Sequence, residues 1–480
     1  MKELTRRSLI VGAGSAALPL NRLQAYAAEP RLVLNDASRL NPTPVARHWM
    51  AETQDGAFIE RLRQELKEAS TAKRPVAVGA ARHSLGGQSL PRDGTAITLA
   101  PSRFYLLPEK GVYLVGAGTR WRDVIEALDP LGYSPAVMQS NNDFGVASTF
   151  SVNAHGWAVP HGPFGTTVRS IRIMLSDGTI LNCSRTENAE LFALALGGYG
   201  LFGIILDLEV EMVPNTLLKP TFSTFPAEDF PHRLLKATSD PLTSMAYGRV
   251  SVAEANFLHE AILVAFRREP APDGTIPPAA SGSEMALLMR EIYRAQTGWD
   301  TGKRIRWFAE TVVAPSLSSG TFTRNTLLNS PVSELAGRNR RFTDILHEYF
   351  VPPEKFAEFL SLCRKVIPRS GQDLLNITLR YVDQDDLSVL AYSPMKRIAA
   401  VMSFSQEMSP EAEAGMMRMT EELIDGVLEI GGSFYLPYRL HARRDQVRRA
   451  YPQYDAFIER KRHYDPGLLF RNLMWDAYFS

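Results

Sequence analysis

Eleven residues, Gly79-Ala80-Ala81-Arg82-His83-Ser84-Leu85-Gly86-Gly87-Gln88-Ser89, follow directly on the apolar segment Arg74-Pro75-Val76-Ala77-Val78. That segment reads as a short strand ending in glycine. Small residues behind it let the backbone turn sharply, so several N–H groups can converge on one anion. A pyrophosphate is the natural guest of such a nest. The loop lacks the Gly-Lys-Ser/Thr of a Walker sequence and is not GxGxxG, which excludes two common phosphate cradles. The strand before it places the loop in a lobe of mixed strands and helices.

The 480 residues are 45% hydrophobic, with 53 Lys+Arg against 52 Asp+Glu. This excludes wholesale disorder and implies two or three domains' worth of core, as separate units or as one two-lobed enzyme. A formal charge of +1 argues against a nucleic-acid partner, which would need a basic face. Cys183 and Cys363 cannot build a disulfide framework or a cysteine zinc site and read as buried thiols.

Residues 1–27 read as an address. Thr5-Arg6-Arg7-Ser8-Leu9-Ile10 opens an apolar run to Leu20, and Ala25-Tyr26-Ala27 closes it as a cleavage site. The paired arginines point to the twin-arginine variant, which exports folded proteins to the periplasm or beyond. An ordinary signal with two adjacent arginines is the alternative. This segment carries a net +3, so the rest of the chain carries −2. No later stretch is apolar for long enough to span a membrane.

Residues 28–50 read as an arm. Phe58 to Ala69 is an amphipathic helix with Phe58, Leu62, Leu66 and Ala69 on one face. Strands are expected at Ala96–Leu99, Val112–Val115, Val168–Leu175, Ile180–Asn182 and Ile204–Val213, with helices at Trp121–Leu128 and Ala189–Leu196. This pattern to Pro214 reads as one α+β lobe, residues 28–214. From Asn215 longer strands (Met245–Val252, Ala261–Phe266, Leu374–Val382, Arg397–Phe404) alternate with helices at Ser283–Arg294, Pro353–Val366 and Pro410–Ile430. They suggest a second lobe over 215–440, a sheet with helices on one face. Residues 441–480 read as a closing segment. The arginine-rich runs there, Arg443-Arg444, Arg448-Arg449 and Arg460-Lys461-Arg462, read as solvated helix faces. Met416, Met417 and Met419 read as core filler.

A second block follows the loop in order. It runs from Val115-Gly116-Ala117-Gly118-Thr119 through Gly145-Val146-Ala147-Ser148-Thr149-Phe150-Ser151-Val152-Asn153-Ala154-His155-Gly156 to His161-Gly162-Pro163-Phe164-Gly165. Asp177-Gly178-Thr179 and Gly197-Gly198-Tyr199-Gly200-Leu201-Phe202-Gly203-Ile204 complete it. With the loop, these pieces resemble the family of vanillyl-alcohol oxidase and p-cresol methylhydroxylase. The local motifs resemble most nearly the cytokinin dehydrogenases and the alditol and aldonolactone oxidases. The resemblance implies a two-lobed α+β fold of PCMH type that binds FAD, with a substrate domain on an antiparallel sheet covered by helices. Ala80, Ala81, Arg82, His83, Ser84 and Gln88 would fall on the pyrophosphate loop. Ser140, Gly145, Ser151, His155 and Ile204 would fall on the other flavin-contacting segments. His83 occupies the position that many members bond covalently to the flavin, simple hydrogen bonding being the alternative. A second, cysteinyl link is not expected, because Gln139 to Asp143 contains no cysteine.

On the substrate side, Thr378-Leu379-Arg380 is similar to a segment of the sugar-alcohol and aldonolactone oxidases. Their catalytic arginine would fall on Arg380, but the glutamate they place two residues earlier is here Thr378. Tyr435, Tyr438, Arg439 and His441 fall where the family sets side chains over the flavin ring. An inward-outward alternation along a strand would explain the same residues. His155 and His161 lack a third ligand at helical spacing, so no metal is expected. Two readings result. One is an exported FAD-dependent oxidoreductase that takes hydride from a small alcohol, sugar or related C–H donor and passes electrons to oxygen, a quinone or a cytochrome. The other is an exported flavin-fold protein that binds a ligand or partner without turnover.

Overall fold

The computed structural model describes residues 32–51, 57–101, 104–280, 291–318, 320–331 and 339–480. The expected signal of residues 1–27 lies outside these, as do residues 283–290 of the helix expected at Ser283–Arg294; residues 291–294 are helical. Strands β1 (Val33–Leu34) and β2 (Thr43–Pro44) pair with each other, and β3 (Arg47–Ala51), β4 (Val76–Gly79) and β5 (Thr95–Leu99) form a parallel sheet with β5 at its centre. The expected arm therefore contributes a strand. Its local sequence, RHWMA, shows little, because the partner that holds it is a distant strand. Helix α1 (Phe58–Thr71) buries Phe58, Leu62, Leu66 and Ala69, the face its periodicity predicts.

The next sheet is antiparallel, ordered β10 (Ile180–Ser184), β9 (Val168–Met174), β11 (Ile204–Pro214), β7 (Val112–Gly116), β6 (Phe104–Leu107), with β8 (Tyr133–Pro135) also on β11. Strand β11 alternates as its sequence dictates. Leu206, Leu208, Val210 and Met212 are buried, while Asp207, Glu209 and Glu211 reach solvent. Helices α2 (Trp121–Leu128), α3 (Val146–Ser151) and α4 (Ala189–Ala195) belong to this region.

Residues 217–434 build an eight-stranded sheet. It comprises β12 (Leu217–Pro226), β13 (Thr243–Val250), β14 (Glu260–Glu269), β15 (Phe322–Thr323), β16 (Phe342–Val351), β17 (Asp373–Val382), β18 (Arg397–Glu407) and β19 (Ser433–Phe434). Their order is β15-β12-β14-β13-β17-β18-β16-β19. Strands β12 and β16 and helix α5 (Phe230–Thr238) are not singled out by the residue pattern alone. Helices over Phe356–Ser370 and Pro410–Glu429 cover one face; there Tyr349 of β16 meets Phe359 at 6.1 Å between ring centroids. Because side chains alternate along a strand, Leu346 and Glu348 look the other way. Register lines Glu348 up with Val401, and Val401 with Thr378, across three neighbouring strands.

Two sequence readings need correction. Lys461 is fully buried rather than solvated: its ammonium donates to the Leu201 carbonyl at 2.6 Å and pairs with Asp465. Burial draws it down to about 8, with Asp465 opposing. Met417 is exposed, whereas Met416 and Met419 are core. Both cysteines are buried. Among the described residues no helix is long and apolar enough to cross a membrane.

Candidate functional site

The loop after β4 holds its shape through contacts made by distant segments. Gly87 N–H donates to Asp36 at 2.8 Å, Leu85 N–H to the Pro437 carbonyl at 2.9 Å, and Asn472 to the Gln88 carbonyl at 2.8 Å. Gln88 itself acts within the protein: its amide donates to Leu436 and Tyr438 carbonyls at 2.7 and 3.2 Å and accepts from Gly86 N–H. Gly86 has to be glycine, since a Cβ there would run into the Tyr438 carbonyl. Arg82 takes a left-handed φ of 52°, which throws its guanidinium onto Thr98 at 2.5 Å. Among the described residues, the N–H groups of Arg82, His83 and Ser84 meet no protein acceptor. They remain available to a guest.

This loop forms one end of a cleft enclosing about 1480 Å³, including space open to solvent. Ala80, Ala81, Arg82, His83, Ser84 and Gln88 line it, as do Ser140, Gly145, Ser151, His155 and Ile204. The eight-stranded sheet supplies the opposite wall with Arg380, and the chain after β19 adds Tyr435 and Tyr438. Segments separated by hundreds of residues thus converge on one space. His83 packs on Phe144 at 4.5 Å and lies 3.5 Å from the Asp143 carboxylate. Arg380 donates to the Ser140 hydroxyl at 2.6 Å. Burial lowers the pKa of Arg380, with Glu348 opposing, and lowers that of Arg82 to about 10, aided by the neighbouring Arg120. Buried Nε and Nη2 of Arg82, Oγ of Ser89 and Nε of Arg380 have no partner among the described residues. Unpaired buried donors are costly, so these mark where a polar ligand belongs.

Arg439 and His441 do not line the cleft. Both bind Glu413 on the helix-covered side of the sheet. Arg439 also donates to Asn41 at 2.7 Å, and His441 meets Thr420 at 3.2 Å. The sequence places them within three residues of Tyr438, but the chain turns away from the cleft there.

Glu348 is the residue that motif reading missed. Its side chain is 2% exposed, its Oε1 pairs with Nε2 of His155, and its Oε2 accepts from the Tyr438 hydroxyl at 3.0 Å. Tyr435 donates to the Val152 carbonyl at 2.8 Å. Burial and then Glu348 raise the pKa of both Tyr435 and Tyr438, keeping their protons on. The available signal was a lone carboxylate between Leu346 and Phe350, on the inward face of an apolar strand. Among the described residues no cluster of His, Cys, Asp or Glu could hold a metal ion.

Comparison with known proteins gives this cleft its context. Residues 58–184 match the family model of the FAD binding domain. Cytokinin dehydrogenase 8 of Oryza sativa subsp. indica is 31% identical over 210 residues, 38% of this chain and 39% of that protein. A putative D-arabinono-1,4-lactone oxidase of Neurospora crassa is 32% identical over 104 residues, 22% of this chain and 19% of that one. L-gulonolactone oxidase of Mus musculus is 31% identical over 119 residues, 25% and 27% of the two chains. The chain thus spans about two fifths, or less, of the length of these relatives. The unpaired guanidinium and hydroxyl donors beside free loop N–H groups fit a cofactor that carries a diphosphate.

Proposed function

We propose that the FAD binding domain of residues 58–184 seats FAD in this cleft, and that the protein is an oxidoreductase for a small alcohol, sugar or related C–H donor. The observation that carries this reading is the convergence, on one cleft, of a diphosphate-type cradle with Arg380, Glu348, Tyr435 and Tyr438. Bound FAD would supply the hydride acceptor.

The chain's own residues do the rest. Loop N–H groups of Arg82 to Ser84 and the Arg82 guanidinium would hold the diphosphate. Ser140, Gly145, Ser151 and Ile204 line the rest of the cleft and would hold the remainder of the cofactor. Arg380 would offer a buried cation to the bound cofactor, and electrostatic stabilisation of this kind is often the largest catalytic contribution. Tyr435 and Tyr438 close the wall against water. Oxygen, a quinone or a cytochrome would be the electron acceptor. The paired arginines of residues 1–27 support export by the twin-arginine route as part of the same reading.

His83 lines the cleft with its ring held by Phe144, which supports a covalent bond to the flavin. Acid precipitation of the purified protein is expected to leave flavin in the pellet, and His83→Ala to release it. An unbound flavin in the wild type would refute the link. The activity is tested by adding alcohols, polyols and aldonolactones anaerobically to the purified yellow protein. Bleaching by at least one class is expected. Yellow protein that none of them bleaches would instead mark a binding protein without turnover.

A further inference from the structure

We propose that Glu348 takes the hydroxyl proton of the donor, with His155 as its positioning residue, an inference that rests on the oxidoreductase reading above. Hydride removal from an alcohol carbon needs a group to receive the proton of its O–H. Among the described residues that line the cleft, Glu348 is the only carboxylate. It stands on β16 of the sheet wall, one strand from Val401 and two from Thr378, in the row next to Arg380.

A carboxylate so deeply buried is costly unless it is paired, and both oxygens of Glu348 are engaged by cleft-lining side chains. Its two oxygens are differently engaged. Nδ1 of His155 faces the Gly156 carbonyl at 3.3 Å. Its Nε2 meets Oε1 of Glu348 and occupies that oxygen. Oε2 accepts from Tyr438 and keeps a second lone pair for a donor hydroxyl. His155 thereby fixes which oxygen is free.

The step balances with bound FAD as the two-electron oxidant. The donor O–H bond breaks and its proton goes to Oε2 of Glu348. Bound FAD would supply the acceptor for the C–H electron pair, and the C–O bond would become C=O. The donor loses two electrons, which pass on to oxygen or a quinone. The charged and titratable groups around Glu348 are His155, Arg380 and the hydroxyls of Tyr199, Tyr392, Tyr435, Tyr438 and Tyr451. Burial leads in raising the pKa of each of these tyrosines, so they are poor competitors for the proton.

The test compares wild-type holoprotein with Glu348→Gln and His155→Asn, each checked for an unchanged flavin spectrum. Anaerobic flavin bleaching by the best donor of the screen is followed against pH. Glu348→Gln is expected to slow bleaching by on the order of 10²-fold or more, with KM little changed, and to abolish the acid limb of the profile. His155→Asn is expected to shift that limb. Bleaching by Glu348→Gln within about threefold of wild type would overturn the proposal. Should no donor bleach the wild type, the oxidoreductase reading fails, and the infrared difference spectrum on photoreduction of the bound flavin judges Glu348 alone. A protonated-carboxyl band gained by the wild type and missing in Glu348→Gln supports proton uptake there; no such band refutes it.

Discussion

Arg82 occupies the least comfortable position of the loop. Its backbone is left-handed, its guanidinium is mostly buried, and two of its nitrogens lack a protein partner. Such strain persists where the site uses it. Arg82→Gly would relax the backbone and remove the charge together. In a His83→Ala background, where binding is reversible, FAD affinity is expected to fall by about tenfold or more, the loss of one charge-assisted hydrogen bond of about 1.5–3 kcal/mol. Equal affinity by fluorescence titration would show that Arg82 does not hold the cofactor. At this scale the loop was legible in the sequence because its residues act within eleven consecutive positions. Glu348 was not, because its partner His155 is 193 residues away and only the folded sheet brings them together. Arg439 and His441 were misplaced for the converse reason: neighbours of Tyr438 in sequence, they leave the cleft at a turn.

At the scale of elements, those two residues explain how the helix over Pro410–Glu429 is tied to the loop. Glu413 binds Arg439 and His441, and Arg439 reaches Asn41 and the Leu85 carbonyl. Burial raises the Glu413 pKa, but the hydrogen bond and charge of His441 and the charge of Arg439 outweigh it and bring it down to about 2 from 4.5. A carboxylate with a lowered folded-state pKa contributes stability above its unfolded value and loses it as pH falls through the folded one. The difference in unfolding free energy between wild type and Glu413→Gln is therefore expected to shrink by about 3 kcal/mol between pH 4.5 and 2. A constant difference in urea unfolding across that window would contradict this link. Elements with strong internal periodicity, such as α1 and β11, were legible from sequence. Strand β3 was not, since five residues become a strand only when β5 lies beside them. Lys461 likewise reads as solvent-facing until Phe470 and Trp475 are seen to close over it at 5.7 and 5.8 Å.

For the whole molecule, the cleft exists because the loop of the parallel sheet, the segment around α3 and the bare face of the eight-stranded sheet meet. One side carries cradle donors and the other carries proton and charge chemistry, so a ligand that bridges them should stabilise the entire unit. Binding to the folded state alone adds about 2.7 kcal/mol at a ligand concentration 100 times Kd. FAD added to flavin-free His83→Ala protein should raise its Tm in a concentration-dependent way, whereas AMP or riboflavin alone should do so less. Equal shifts from either half would mean that the cleft does not read the diphosphate.

The most direct measurement is the flavin-to-chain ratio of the purified, folded protein, read from its visible spectrum after release or digestion. One FAD per chain is expected. A folded protein that contains no flavin and takes up none on incubation with FAD would contradict it.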